Sequence, residues 1–259
     1  MKLKRLCLVF ALCSLSACSA PPAEPVPAAE SEAEVHWSYS GETGPEHWGE
    51  LDPEFLVCSQ GVRQSPINLE STAEQGEPDP VLNLTASRPH LLNNGHTVEV
   101  SLADPQHLQL ASQEYTLGQF HFHSPSEHTL QGEEFPLEMH FVFRAGDQLA
   151  VLGVMVREGA HNDALDPFWS DLPRNEGEQG NLGVLLDPAP LFPVDRTQYR
   201  YPGSLTTPPC SEGVQWIVFR EPIEMSPEQM QAMTQILGKN NRPRQGLGGR
   251  SVNLDPTDG

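Results

Sequence analysis

The sequence is poor in positive charge. In 259 residues, 15 Lys and Arg face 35 Asp and Glu, for a formal net charge of −20. Nucleic-acid binding needs clustered Lys and Arg, and no such cluster occurs, so that class is excluded. The acidity also argues against electrostatic attachment to anionic lipid, while saying nothing about fold. No apolar stretch of 18 or more residues occurs, so an ordinary membrane-spanning helix is excluded. Histidine-rich tracts, the usual mark of metal storage, are absent. Cysteine is sparse: of five, three (Cys7, Cys13 and Cys18) lie near the N-terminus. Turn formers are plentiful, with 25 Pro and 21 Gly, and 37% of residues are apolar. That composition supports a core for one large domain or two small ones.

The first residues read as an export signal. Lys2, Lys4 and Arg5 form a positive head, and Leu6 to Leu15 is a short apolar run followed by small residues. Leu15-Ser16-Ala17-Cys18 resembles a bacterial lipobox, which predicts a signal peptide over 1–17 and lipidation of Cys18. Ser19 rather than Asp after that cysteine points to the outer membrane. The alternative is an ordinary signal peptide and a soluble periplasmic or secreted product. Residues 18–34 are mostly Ala, Pro and Glu; they have nothing to bury and read as a semi-extended tether. One domain is expected over 35–259, without internal repeats.

Strand patterns dominate that domain. Residues 97–102, 119–123, 138–143, 149–156 and 215–220 read as strands, some alternating and some continuously apolar. Two helices are expected, over 166–172 and 226–237. The second opens on Ser226 with Pro227 in the first helical position and stops at Gly238. The class is mainly β, with an α+β character, in a single domain.

Chemistry concentrates in two strands. In Gln119-Phe120-His121-Phe122-His123, alternation puts Gln119, His121 and His123 on one face and the two Phe on the other. In Glu138-Met139-His140-Phe141-Val142-Phe143, the face of Glu138, His140 and Val142 opposes that of Met139, Phe141 and Phe143. The large apolar residues assign their faces to the core. An antiparallel return through 124–137 would then present three histidines on one surface. Three imidazoles without a fourth protein ligand form the pattern of a catalytic zinc site, since structural zinc normally takes four protein ligands. Gln119 and Glu138 stand two residues before His121 and His140, placed to orient those rings through their second nitrogens. His-x-His on a strand is by itself more often a polar sheet face, and the histidine pattern alone leaves that alternative open.

The wider sequence resembles the α-class carbonic anhydrases. The resemblance runs through Gly44-Pro45-Glu46-His47-Trp48-Gly49, Arg63-Gln64-Ser65-Pro66-Ile67-Asn68 and Asn93-Asn94-Gly95-His96. It continues through 119–123, Ser126-Glu127-His128, Glu138-Met139-His140 and Leu149-Ala150-Val151-Leu152-Gly153. Tyr201-Pro202-Gly203-Ser204-Leu205-Thr206-Thr207-Pro208-Pro209, Trp216-Ile217-Val218 and Asn241-Arg242-Pro243 complete it, in the family's order. It implies a twisted, largely antiparallel central sheet of about ten strands with short surface helices. It also implies zinc-dependent reversible hydration of CO₂ to bicarbonate and a proton, by zinc-hydroxide attack with a histidine proton shuttle.

Roles carry over by position. His121, His123 and His140 match the zinc ligands and His96 the proton shuttle. Thr206 matches the residue that orients the attacking oxygen because its own hydroxyl donates to a carboxylate, here Glu127. Thr207 matches a bicarbonate-binding position. Val142, Val151, Leu205 and Trp216 match the apolar wall for CO₂, and Tyr39 a cavity tyrosine. Arg63, Gln64, His128 and Arg242 match structural positions, and His36, His47, His90, His107 and His161 are read the same way. Cys58 and Cys210 match a disulfide of bacterial members, consistent with export. Vertebrate members often carry Asn three residues past the shuttle; this chain has Glu99, an anion that would bear on the water network and on His96. The expected partner is CO₂ or bicarbonate. Membrane contact is expected only through the lipid anchor, and the state is monomer or homodimer.

Overall fold

Alternation of large apolar and polar residues is what the backbone obeys. In the computed structural model all five expected strands form, most of them longer than the local pattern predicts: Val98–Leu102, Gln113–His123, Leu137–Ala145, Gln148–Glu158 and Glu212–Phe219. Residues 35–71, 73–74, 78–169, 171–181 and 183–256 are described; the expected signal peptide, Cys18 and the expected tether lie outside them. Val35–Gly259 forms one compact unit.

Thirteen strands among the described residues join in one sheet. Its main path runs through Gln179–Asn181, Pro89–Asn93, Val98–Leu102, Gln113–His123, Leu137–Ala145 and Gln148–Glu158. It continues through Glu212–Phe219, Gln198–Ser204, Asn253–Asp255 and Ala73–Glu74. Most pairs are antiparallel, as expected, but the sheet is mixed and larger than ten strands. The Gln148–Glu158 strand runs parallel to both Glu212–Phe219 and Ile223–Met225. Those partners arrive from distant chain segments, which is why local pattern does not reveal them.

One sheet face is apolar. Phe120, Phe122, Met139, Phe141 and Phe143 are at most 1% exposed and join a core with Val98, Val100, Leu152 and Ile217. Burying each large side chain stabilises by about 1.5–3 kcal/mol. A bulge at Gly118 sets the parity: Leu117 pairs with Phe143, while Gln119 pairs with the next residue, Val142. Without the extra residue, Leu117 and Gln119 would share a face; with it, Leu117 packs on the core and Gln119 turns to the opposite side.

The helix at the C-terminal end spans Pro227–Leu237. Ser226 caps it, accepting from the Gln229 amide at 3.3 Å while the Gln229 side chain accepts from the Ser226 amide at 3.1 Å. The helix expected over 166–172 is shorter: a 3₁₀ turn over Asp163–Leu165 leads into a single turn, Asp166–Trp169. Pro173 disfavours helical backbone at Leu172, so the segment cannot continue. No helix among the described residues is long and apolar enough to cross a membrane.

Candidate active site

The face opposite the apolar core carries the polar residues in cross-strand rows. Glu99 pairs with His121, His121 with His140, and His140 with Gly153. The next row runs Gln119, Val142, Val151, Trp216 and Tyr201. Cross-strand partners point to the same side. His123 pairs with Glu138 in a third row, so three imidazoles stand beside an apolar strip.

The rings of His121, His123 and His140 have centroids 4.6–5.4 Å apart. One nitrogen of each is already engaged. Nδ1 of His121 meets Gln119 Oε1 at 2.8 Å, Nδ1 of His123 donates to the Asn240 carbonyl at 2.8 Å, and Nε2 of His140 donates to Glu138 Oε1 at 2.8 Å. Gln119 and Glu138 thus stand where the sequence placed them. Each remaining nitrogen has its lone pair free to face the others, and one ligand atom from each ring lies within 4.8 Å of the other two.

Electrostatics favours neutral rings at His121 and His123. Burial, then the neighbouring His123 and His140, pushes His121 well below the ordinary imidazole value. Burial also lowers His123, against the pull of Glu127. Burial would lower His140 too, but the Glu138 charge and hydrogen bond hold it above the ordinary value. Burial would raise Glu138, yet His128 and His140 keep its carboxyl well below the usual range. Glu138 also accepts from the amides of Glu127 and His128 at 2.8 Å and meets His128 Nδ1 at 2.7 Å. His128 continues to the Tyr201 hydroxyl at 2.5 Å, and that hydroxyl to Ser65 at 2.8 Å. His128 is therefore a link in a buried chain and its contacts are already made.

Nε2 of His123 and Oε2 of Glu127 are buried without hydrogen-bond partners among the described residues. That carboxylate oxygen lies 3.5 Å from His123 Nε2 and 3.8 Å from His140 Nδ1. Converging imidazole lone pairs beside an uncompensated carboxylate suit a divalent metal, and an all-imidazole set suits zinc. The other carboxylate oxygen of Glu127 accepts from the Arg242 amide at 2.7 Å. Arg242 itself is 2% exposed and donates to Gln64, Ser65 and Cys58, so its structural reading fits.

Thr206 is buried, but Oε2 of Glu127 accepts no hydrogen bond, so the expected bond from the Thr206 hydroxyl is not formed. Thr207 is half-buried, and its carbonyl accepts from the Cys210 amide at 2.8 Å. Cys58 and Cys210 are joined in a disulfide across 152 residues, a closure worth about 5 kcal/mol as an upper figure in the chain-entropy account. Val151 and Trp216 are 2% exposed; Val142 and Leu205 are half-buried and pack against their cluster. Tyr39 packs edge-on to Trp48, and burial followed by the charge of Glu127 raises its phenol well above the ordinary value.

Two features escaped the sequence. The His96 ring stacks on Trp37 with centroids 3.7 Å apart and planes 5° from parallel. Asn240, 2% exposed, joins the histidine cluster to the His96 segment. Its carbonyl holds His123, its amide donates to the carbonyls of His96 and Phe122 at 2.9 Å, and its side-chain oxygen accepts from Ser124 at 2.7 Å. Its place in Lys239-Asn240-Asn241-Arg242 carries no local signal for that role.

The family model for eukaryotic-type carbonic anhydrase matches residues 43–255. A carbonic anhydrase of Pectobacterium atrosepticum is 39% identical over 227 residues, covering 86% of this chain and 93% of its own. One from a Nostoc species is 40% identical, covering 84% and 85%. The α-carbonic anhydrase of Thermovibrio ammonificans, solved with sulfanilamide, superposes with a TM-score of 0.83 at 43% identity, covering 85% of this chain and all of that one. Sequence, sheet and site converge, and the chain belongs to the eukaryotic-type, or α-class, carbonic anhydrase family, whose members catalyse CO₂ hydration.

Proposed function

We propose that this enzyme hydrates CO₂ reversibly to bicarbonate and a proton with zinc held by His121, His123 and His140. The observation that carries the proposal is the convergence of three imidazole lone pairs whose other nitrogens are locked by Gln119, Asn240 and Glu138. Zinc in such a site supplies a water acidified to a pKa of about 7, a value borrowed from this family itself.

The chain's own residues do the rest. Val142, Val151, Leu205 and Trp216 give apolar CO₂ a wall that needs no charge. Glu127, anchored by the Arg242 amide, keeps one oxygen for the site. In the working enzyme the hydroxyl of Thr206 turns to that oxygen, which leaves its lone pair to orient the nucleophile. Thr207 contacts bicarbonate. His96 carries the proton out. Release to water from a group of pKa about 7 is limited to about 10³ s⁻¹, taking roughly 10¹⁰ M⁻¹s⁻¹ for recombination. Faster turnover needs a relay, and imidazole has an unperturbed pKa near 6.5, suited to taking and releasing that proton.

For location, the leader supports export and lipid attachment at Cys18, with a periplasmic or external domain; the soluble periplasmic or secreted form is the alternative. Mass spectrometry of the native N-terminus separates them: acyl groups on Cys18 support the anchor. For function, the purified protein should carry one zinc per chain. Its stopped-flow CO₂ hydration should vanish on chelation and return with zinc. Full activity in zinc-free protein would overturn the proposal.

A further inference from the structure

Among the described residues, one carboxylate on the site face accepts no hydrogen bond. Glu138 is surrounded by two histidines and two amides, and Glu127 is anchored by the Arg242 amide. Glu99 makes no hydrogen bond or ion pair among the described residues. Its position is set from two sides. Val98 and Val100, its chain neighbours, are fully buried in the apolar core, which sends Glu99 to the other face. Across the sheet it pairs with His121 on one side and with Leu92 on the other. Directly opposed residues have Cβ atoms about 4.5–5.5 Å apart. Glu99 therefore stands opposite His121 on the histidine face, half-buried; burial raises its carboxyl above the usual range, against the pull of His90.

Around it stand Leu92 from one neighbouring strand and Gln119 and His121 from the other, with His90 further along the first. Gln119 is occupied with His121. No Lys or Arg occurs in 89–93, 98–102 or 113–123, the three strands involved. A fixed negative charge in a half-buried place is screened less than one on the surface. CO₂ is neutral and feels that charge weakly. Bicarbonate and other monovalent anions feel it as repulsion.

Resting on the zinc site proposed above, we propose that Glu99 is a specificity-determining residue: its charge selects neutral CO₂ over anions at the metal. It weakens anion binding and raises the KM for bicarbonate. At separations of roughly 8 Å and an intermediate effective dielectric, one like charge weakens a monovalent anion about threefold to tenfold.

Isothermal titration of the zinc-loaded mature protein at pH 8.5 tests this, with azide as the anionic probe and imidazole as the neutral one. Glu99→Gln should tighten azide about threefold to tenfold and leave imidazole within about twofold. Glu99→Asp, which keeps the charge, should bind azide like the wild type. If azide binds the wild type and Glu99→Gln leaves it unchanged, or shifts imidazole equally, the inference is overturned while the metal site stands. If azide does not bind wild-type protein carrying stoichiometric zinc, both fall.

Discussion

Two faces of the same strands are built on opposite rules. On one, Phe120, Phe122, Met139, Phe141 and Phe143 close against other apolar side chains and ask only for volume. On the other, His123, Glu138 and His140 are as deeply buried and Gln119 and His121 half-buried, yet each depends on a particular partner. An apolar face tolerates volume-conserving exchange, whereas removing one member of a buried polar network leaves its partner orphaned. Alternation separates the two at every second residue, so stability and chemistry can be perturbed from adjacent positions.

The largest expected effect tests the polar face. His140→Ala should lose most zinc, by elemental analysis, and reduce CO₂ hydration by more than about a hundredfold, beyond the usual reach of outer-shell changes. It should leave the fold intact by circular dichroism; full zinc content would break the assignment. One position along, Phe141→Ala should do the converse. It should destabilise by about 3–5 kcal/mol in urea unfolding, while the folded fraction keeps its zinc. Equal damage to zinc affinity from both would erase the distinction between the faces.

His96 lies at the edge of the polar face. His96→Ala should lower kcat in weak buffer by about a hundredfold and leave kcat/KM for CO₂ nearly unchanged, with recovery on adding imidazole. An unchanged kcat would move the relay elsewhere.

Glu138→Gln should weaken zinc by about tenfold to a hundredfold, measured by chelator competition. It also tests the sign of a pH effect. The Glu138 carboxyl sits below its ordinary value, so its contribution is fully present above about pH 4.3 and is lost as the pH falls toward the folded value. The acid limb of the melting curve should be shallower in the Gln variant. The smallest effect belongs to Gly153, the cross-strand partner of His140. A Cβ there would sit 3.1 Å from Glu138 Oε1 and 3.1 Å from Val218, so Gly153→Ala should displace the carboxylate slightly and weaken zinc severalfold. At Leu152, on the other face, a change to Met should leave zinc unmoved.

Period-2 alternation in 119–123 and 138–143 suffices to sort the histidines from the core, because large apolar side chains have one place to go. That much of the site, the mainly β class and the C-terminal helix with its Ser226 cap belong to the sequence. Family motifs add the Cys58–Cys210 bridge, which the structure forms. The bulge at Gly118 was not legible: one unpaired residue leaves no mark in composition, yet it decides which way Gln119 points. The orienting partner of His123 was not legible either, because it is a backbone carbonyl 117 residues away. Nor was the place of Glu99 beside His121, since strand register depends on the whole sheet and on no local pattern. The sequence by itself determined which residue types could hold a metal and which face would carry them. Tertiary structure alone decided which nitrogen of each ring is free and which carboxylates are held by amides, because those choices are made by contacts between segments that meet only when the chain is folded.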